Sequence, residues 1–322
     1  MTTTALTDLL RADMAEVDRV IHARLHTEVA LVRQVAEYIV AAGGKRLRPA
    51  MVVLCAKALG YHGAHHYELA AVVEFIHTAT LLHDDVVDAS SLRRGRATAN
   101  AEFGNAASVL VGDFLYSRAF QMMVSIKNMH VMEVLSDATN VIAEGEVLQL
   151  MNCHDPDIEI VAYLQVIHYK TAKLFEASGR LGAIVSGAGT DVETALGRYG
   201  MHLGTAFQLI DDVLDYSGST EQTGKNVGDD LAEGKPTLPL LHVMRTGNPQ
   251  QVASVRRAIE HGSIEEFDAI MAAVKATGAI EYTRSCARRE AELAIAELTC
   301  LPDSVYKQAL LELPAFAVER DR

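Results

Sequence analysis

The pattern Asp-Asp-x-x-Asp occurs twice in this chain, at Asp84-Asp85-Val86-Val87-Asp88 and, far downstream, at Asp211-Asp212-Val213-Leu214-Asp215. On a helix, the first and last aspartate of each copy share a face, about 6 Å apart along the axis. Each copy is therefore a two-toothed carboxylate comb. Oxygen ligands with open positions suit a hard cation that keeps some waters and shares itself with a phosphate, which describes Mg²⁺ better than Zn²⁺ or a closed Ca²⁺ cage. Two facing combs could hold several Mg²⁺ ions around one diphosphate.

A solvated acidic helix face would explain a single copy, but the flanks argue against it here. Phe75 to Leu82 precedes the first comb and Gly204 to Ile210 the second, both almost without charge. Carboxylates that close to an apolar interior need a metal or a cation nearby.

The chain around the combs reads as helix after helix. Apolar residues at helical spacing run from 5 to 41 and stop at Gly43-Gly44, and Pro49 opens a second helix that runs to Gly60. Further helices are expected over 68–89, 106–127, 131–151 and 159–177. The glycine-rich stretch 179–189 is either a helix packed unusually closely or a loop, and it lacks the order of a phosphate-binding GxGxxG. Thr190 to Glu193 matches a capping box that opens the helix carrying the second comb. A polar loop spans 217–234, and helices over 236–245, 249–261, 264–277, 280–298 and 304–319 complete the chain. No alternating strand pattern exceeds a few residues, so the fold class is all-α. Although 322 residues exceed the usual single core, nothing reads as a linker, and one domain spanning 1–322 is expected.

Lys and Arg total 29 against 42 Asp and Glu, a net −13 that argues against a nucleic-acid partner. The positive residues cluster instead, at Lys45-Arg46-Leu47-Arg48, Arg93-Arg94-Gly95-Arg96, Lys170, Lys225 and Lys235. Carboxylate combs together with separate Arg and Lys groups equip a site for two anionic phosphate substrates, one held through metal and one by forked guanidinium contacts. His77, seven residues before Asp84, lies on the same helix face. His62, His65 and His66, and likewise His154, Asp155 and Asp157, read as turn chemistry. Cys55, Cys153, Cys286 and Cys300 form no CxxC pair, and free thiols in a reducing cytoplasm are expected. The longest run without Asp, Glu, Lys or Arg, Tyr199 to Ile210, is far short of the ~20 residues that span a bilayer.

GGKRLRP at 43–49, FIHTATLLHDDVVD at 75–88, RRGRATAN at 93–100, KTA at 170–172, GTAFQLIDDVLD at 204–215 and GKNVGDDLAEGKPTLPL at 224–240 resemble the trans-polyprenyl diphosphate synthase family. The similarity extends over the whole chain, and FGNAASVLVGDF at 103–114 and NVIAEGEVLQLMN at 140–152 look most like its long-chain bacterial members, which make the octaprenyl tail of ubiquinone. The resemblance implies a helical bundle of the isoprenoid synthase type with a central cleft, usually a homodimer. The implied activity is stepwise condensation of isopentenyl diphosphate with farnesyl or a longer allylic prenyl diphosphate, with Mg²⁺, for membrane enzymes that use the product. By motif, Lys45, Arg48, His77 and Arg94 would bind the diphosphate of isopentenyl diphosphate. Asp84, Asp88 and Asp211 would ligate Mg²⁺, with Asp85, Asp212 and Asp215 as outer partners. Arg93, Lys170, Thr171, Gln208, Lys225 and Lys235 would complete the allylic pocket, with Lys170, Thr171 and Gln208 nearest the chemistry.

Chain length is the remaining question. Thr80 stands one turn before Asp84 with Ala79 beside it, so a tail descending from the metal site meets small side chains. Short-chain members of the resembled family carry bulk at this level. A long product is therefore expected, eight units or else nine or ten, with its floor deeper, at Met122, Met123 and Leu135. A terpene cyclase would not need Lys45, Arg48 and Arg94, and a silent partner subunit would not need both combs intact. A Mg²⁺-dependent phosphohydrolase would use the same carboxylates, and only the product distinguishes it.

Overall fold

The computed structural model describes residues 3–217 and 228–319, and Lys225 lies outside them. The apolar stripes become helices α1 (Thr3–Arg24), α2 (Ala30–Ala41), α3 (Leu47–Ala58), α4 (His65–Val87), α5 (Ala99–Phe103), α6 (Asn105–Ile126) and α7 (Met129–Asn152). After α8 (Ile160–Val166) the chain passes through a π-helical stretch, Ile167–Ala172, into α9 (Lys173–Val185) and then α10 (Thr190–Ser217). Helices at Asp229–Ala232, Leu238–Thr246, Pro249–His261, Phe267–Ala276, Ala279–Glu297 and Val305–Val318 follow. Among the described residues, the strands are confined to a two-stranded hairpin, Leu92–Arg93 against Arg96–Ala97. The all-α class holds.

Two expectations need correction, and a third that left two alternatives open is resolved. The stripe over 5–41 is broken between α1 and α2, although no Gly or Pro marks the place. Thr27 Oγ1 accepts the Val29 N–H at 3.3 Å, and Val29 and Leu31 are left exposed, so the apolar periodicity does not continue as one buried face. The capping box at Thr190 does not form. Helix α10 begins on Thr190 itself, with the Glu193 N–H bonded to Gly189 O at 3.1 Å, while the Glu193 carboxylate is taken by Arg180 at 2.7 Å and His130 at 2.9 Å. The stretch 179–189 resolves as both of its alternatives in turn: α9 continues to Val185 and closes in a Schellman motif. Gly187 (φ 70°) is its left-handed residue, with Gly187 N bonded to Ile184 O and Ala188 N to Ala183 O.

The described chain separates into two compact units, each built from three stretches. The first comprises Met1–Thr139, Leu174–Gly200 and Ile295–Leu313, and the second Asn140–Lys173, Met201–Ala294 and Pro314–Arg322. In the first unit, α4 is buried on nearly every side from Leu69 to Ala79, as expected of a helix apolar all round. Small residues let α6 approach it. Ser108 Oγ donates to Leu82 O at 2.8 Å, and a Cβ on Gly112 would stand 2.3 Å from His83 Nε2.

Helices α9 and α10 meet backbone to backbone in the same unit. A Cβ on Gly179 would lie 2.1 Å from Leu196 O, and one on Gly200 would lie 2.2 Å from Phe175 O. Main-chain atoms cannot swing aside as a flexible side chain does. Gly200→Ala is therefore expected to cost about 3 kcal/mol or more, at the upper end for overpacking, measured as a shift in the urea unfolding midpoint. A melt indistinguishable from the parent would show that the two helices can separate freely.

The second unit packs its part of α10 into two apolar clusters. Ala206, Leu209, Ile210 and Leu214 join Tyr163, Ile167, Leu238 and Leu241, while Tyr216 joins Leu231, Leu240, Val243 and Val255.

Candidate active site

Both combs show one pattern of exposure. Asp84 and Asp88 are partly exposed at the end of α4 and Asp85 is fully buried; Asp211 and Asp215 are partly exposed near the end of α10 and Asp212 is buried. Helical spacing accounts for this, since the outer pair share a face while the middle residue turns about 100° toward the core.

In the first unit, Asp85 is gripped by Arg93, whose Nε and Nη2 both stand 2.7 Å from Oδ1. Its Oδ2 is buried without a hydrogen-bond partner. Asn100 Nδ2 donates to Asp85 O at 3.1 Å and Ser90 O at 3.2 Å, tying the hairpin to the end of α4. The hairpin turn has positive φ at both central residues, Arg94 (53°) and Gly95 (73°), as a type I′ turn requires. This turn extends the Arg94 guanidinium over Gly44, where any Cβ would lie 2.7–2.9 Å from it. The glycine pair before Lys45 is thus a bed for Arg94 as well as a helix stop.

Arg48, on the first turn of α3, lies with Cζ 4.4 Å from the centroid of Phe175 and Nη1 3.2 Å from His77 Nε2. Burial, and then the cations Arg48, Arg94, Arg93 and Arg46, hold His77 well below the usual histidine range. A guanidinium only donates, so the neutral imidazole accepts at Nε2. His77 therefore orients Arg48 without adding negative charge beside it. Lys45 is exposed. Arg46, by contrast, pairs with buried Glu74 at 2.9 Å and supports the fold.

In the second unit, the π turn carries Lys170 and Thr171. Gly145 on α7 admits it, because a Cβ there would stand 2.6 Å from Lys170 N. A regular helix had been expected over 159–177, and a π turn of this kind is common at functional sites. Lys170 Nζ lies 2.7 Å from Gln149 Oε1 and 2.6 Å from Glu146 Oε2. Thr171 Oγ1 donates to Gln208 Oε1 at 3.1 Å, and Gln208 Nε2 donates to Asp212 Oδ1 at 2.9 Å. The Tyr163 hydroxyl donates to Asp212 Oδ2. Burial and then the nearby Asp230 carboxylate push Asp212 up to about 8, with Asp211 adding to the effect. Tyr163 is held well above the usual phenol range by burial and by Asp212. Lys235 pairs with Glu233, and its backbone N–H reaches Asp230 O at 2.8 Å. Tyr163, Lys170, Thr171, Gln208, Asp212, Asp230 and Lys235 line one cleft of this unit.

No group of three or more His, Cys, Asp or Glu converges on a metal-sized point among the described residues. The donors each comb presents are two partly exposed carboxylates one turn apart. At the second comb, the Asp230 and Asp211 carboxylates both act to raise buried Asp212, a gathering of acidic groups that a cation would relieve. Two carboxylates with the other positions left to water and phosphate suit Mg²⁺.

Of the chain-length candidates, Ala79 is buried and Thr80 is partly buried with its Oγ1 bonded to His77 O at 2.9 Å. Met122 and Met123 on α6 and Leu135 on α7 are fully buried. The sequence reading passed over Glu74, Phe175, Glu146, Gln149, Asp230 and Tyr163. The i,i+3 pair Glu146 and Gln149 could have been found as a polar stripe on an apolar helix. Nothing local distinguishes Tyr163 from an ordinary core tyrosine.

A family model described as polyprenyl synthetase matches residues 29–276. The chain is 56% identical over 318 residues to octaprenyl diphosphate synthase of Escherichia coli, covering 98% of each. It is 46% identical over 309 residues to an all-trans-nonaprenyl-diphosphate synthase of Rhodobacter capsulatus, covering 96% of this chain and 95% of that one. Its fold matches the polyprenyl synthase of Caulobacter crescentus, crystallised with calcium and isoprenyl diphosphate, with a TM-score of 0.95 and 48% identity over 98% of this chain and 97% of the other.

Proposed function

The chain belongs to the polyprenyl synthetase family, and we propose from that premise that it extends an allylic prenyl diphosphate, farnesyl or longer, with isopentenyl diphosphate to octaprenyl diphosphate. The observation that carries this reading is the comb of two partly exposed carboxylates flanking a buried one, present twice, alongside an Arg48–His77 pair built to hold an anion directly.

Asp84, Asp88 and Asp211 are the proposed Mg²⁺ ligands, with Asp85, Asp212 and Asp215 as their outer partners. When bound, Mg²⁺ neutralises charge on the leaving diphosphate. Lys170 and Lys235, with Lys225 outside the described residues, add fixed positive charge where the diphosphate gains negative charge as the allylic C–O bond breaks. Thr171 and Gln208 border the same cleft and hold its wall in register. Lys45, Arg48 and Arg94 hold the diphosphate of isopentenyl diphosphate, and Arg93 supports the first comb through Asp85. The isopentenyl double bond attacks the allylic cation, and the proton then lost passes to the departing pyrophosphate, so no strongly basic side chain is needed.

We further propose that the whole of 1–322 acts as one catalytic domain, since each compact unit holds only some of these groups. Leu110 and Val124 on α6 and Met129 on α7 stand 62–72% exposed, apolar surface that supports homodimer formation. No described helix is long and apolar enough to cross a membrane. A cytoplasmic enzyme that hands its product to membrane-bound partners for ubiquinone synthesis fits these features.

The test is the purified chain with farnesyl diphosphate, isopentenyl diphosphate and Mg²⁺, its products resolved by mass spectrometry. An eight-unit all-trans product is expected, and inorganic phosphate without a new carbon–carbon bond would refute the reading. Arg48→Ala should raise KM for isopentenyl diphosphate about 10- to 100-fold, the worth of one charge-assisted hydrogen bond, with KM for the allylic substrate little changed. Equal losses for both substrates would contradict that division of labour.

A further inference from the structure

We propose that Tyr163 is a positioning residue of the second comb, the outside anchor that fixes how α10 presents Asp211 and Asp215. This rests on the reading above, in which Asp211 is a Mg²⁺ ligand.

Asp212 adjoins Asp211 and is 2% exposed, and each of its oxygens has a donor. Gln208 supplies Oδ1 from one turn earlier on the same helix, so that bond moves with α10 and cannot fix it against anything else. Tyr163 supplies Oδ2 from α8. The Gln208 amide has a defined sense. Its Nε2 serves Asp212, so its Oε1 accepts, and it accepts from Thr171 in the π turn. Hydrogen bonds therefore converge on Asp212 from α8 and, through Gln208, from the turn that carries Lys170. Tyr163 is the direct link, and its ring is packed among Ile167, Ala206, Leu209, Ile210 and Leu238.

Tyr163→Phe keeps that packing and removes only the donor. A buried carboxylate oxygen deprived of its donor bears its full desolvation cost. Asp212 is relieved by turning out toward the face of Asp211 and Asp215, which disturbs the ligands without emptying the core. Residues that orient metal ligands typically change metal affinity 10- to 100-fold when removed.

The experiment reads thermal stabilisation of the full chain by Mg²⁺ with inorganic pyrophosphate, in the absence of prenyl substrates. Tyr163→Phe is expected to raise the midpoint Mg²⁺ concentration about tenfold, and in turnover assays to lower kcat with KM for isopentenyl diphosphate unchanged. Asp212→Ala should produce a similar shift, and adding Tyr163→Phe to it should produce no more, because the two then remove one interaction. Tyr199→Phe is the control. Tyr199 is likewise a buried tyrosine, whose hydroxyl donates to Leu310 O at 2.8 Å in the other unit, and its loss should lower the melting temperature without moving the Mg²⁺ midpoint. A parental midpoint in Tyr163→Phe, an equal shift in Tyr199→Phe, or full additivity with Asp212→Ala would overturn the inference. Asp211→Asn separates it from the reading beneath. If that variant loses the Mg²⁺ response while Tyr163→Phe keeps it, the inference alone fails; if Asp211→Asn responds like the parent, Asp211 is not a ligand and both fail.

Discussion

Asp84→Ala is expected to lower turnover by at least about 10²–10³-fold, the usual scale for removing a group that stabilises transition-state charge, while leaving the helical fold in place. Asp84 is partly exposed near the end of α4 and packs no core, and alanine is the best helix former available. Asp211→Ala should behave alike, for the same reasons. Asp85→Ala should differ in kind. It leaves Arg93 without its buried carboxylate, and breaking a buried pair from one side costs about 3–5 kcal/mol, so stability should fall along with activity. Circular-dichroism melts beside kcat at saturating substrate distinguish the two. An Asp84→Ala enzyme with near-parental kcat would remove the first comb from the mechanism, and an Asp85→Ala enzyme with a parental melt would show that Arg93 finds another partner.

The contrast between Asp84 and Asp85 also shows where sequence reasoning succeeds and where it stops. A four-residue spacing on a helix is local, so the comb geometry could be read directly, as could the helices that are apolar along one stripe. The structure departs from the pattern where a distant group intervenes. Glu193 has the right spacing for a capping box, but Arg180 and His130 offer it charged partners, and these outweigh one backbone hydrogen bond. The π turn at Lys170 needs the missing side chain of Gly145 on another helix, which no window around Lys170 contains. The break between α1 and α2 has no proline or glycine to announce it. The candidate site followed the same rule. Arg48, His77, Arg93 and Arg94 stood out as cations among motifs, whereas Phe175, Tyr163 and Glu74 matter through what they touch, and touching is settled only by the fold.

Bulk at Ala79 is expected to change the product more than any other single substitution short of the combs. On α4, Thr80 stands one turn before Asp84 and Ala79 beside it is almost fully buried, so two small side chains lie at this level of the helix. Close approach of α6 at Ser108 and Gly112 leaves α4 little freedom to move away from an added ring. If the growing tail descends this face, Ala79→Tyr places an aromatic wall one turn from the metal site. The first condensations should proceed near the parental rate, and elongation should then stop several units short. Mass spectrometry of the products, with a melting curve to confirm folding, reads both. The buried side chains of Met123 and Leu135 are the proposed floor of the passage, so Met123→Ala should act in the opposite sense and lengthen the product. Thr80→Phe, at a partly buried position, carries the test if the Ala79 variant is too unstable to assay. A full-length product at parental rate from a folded Ala79→Tyr enzyme would place the tail on another face of α4, and the length-determining floor would have to be sought away from Met123 and Leu135.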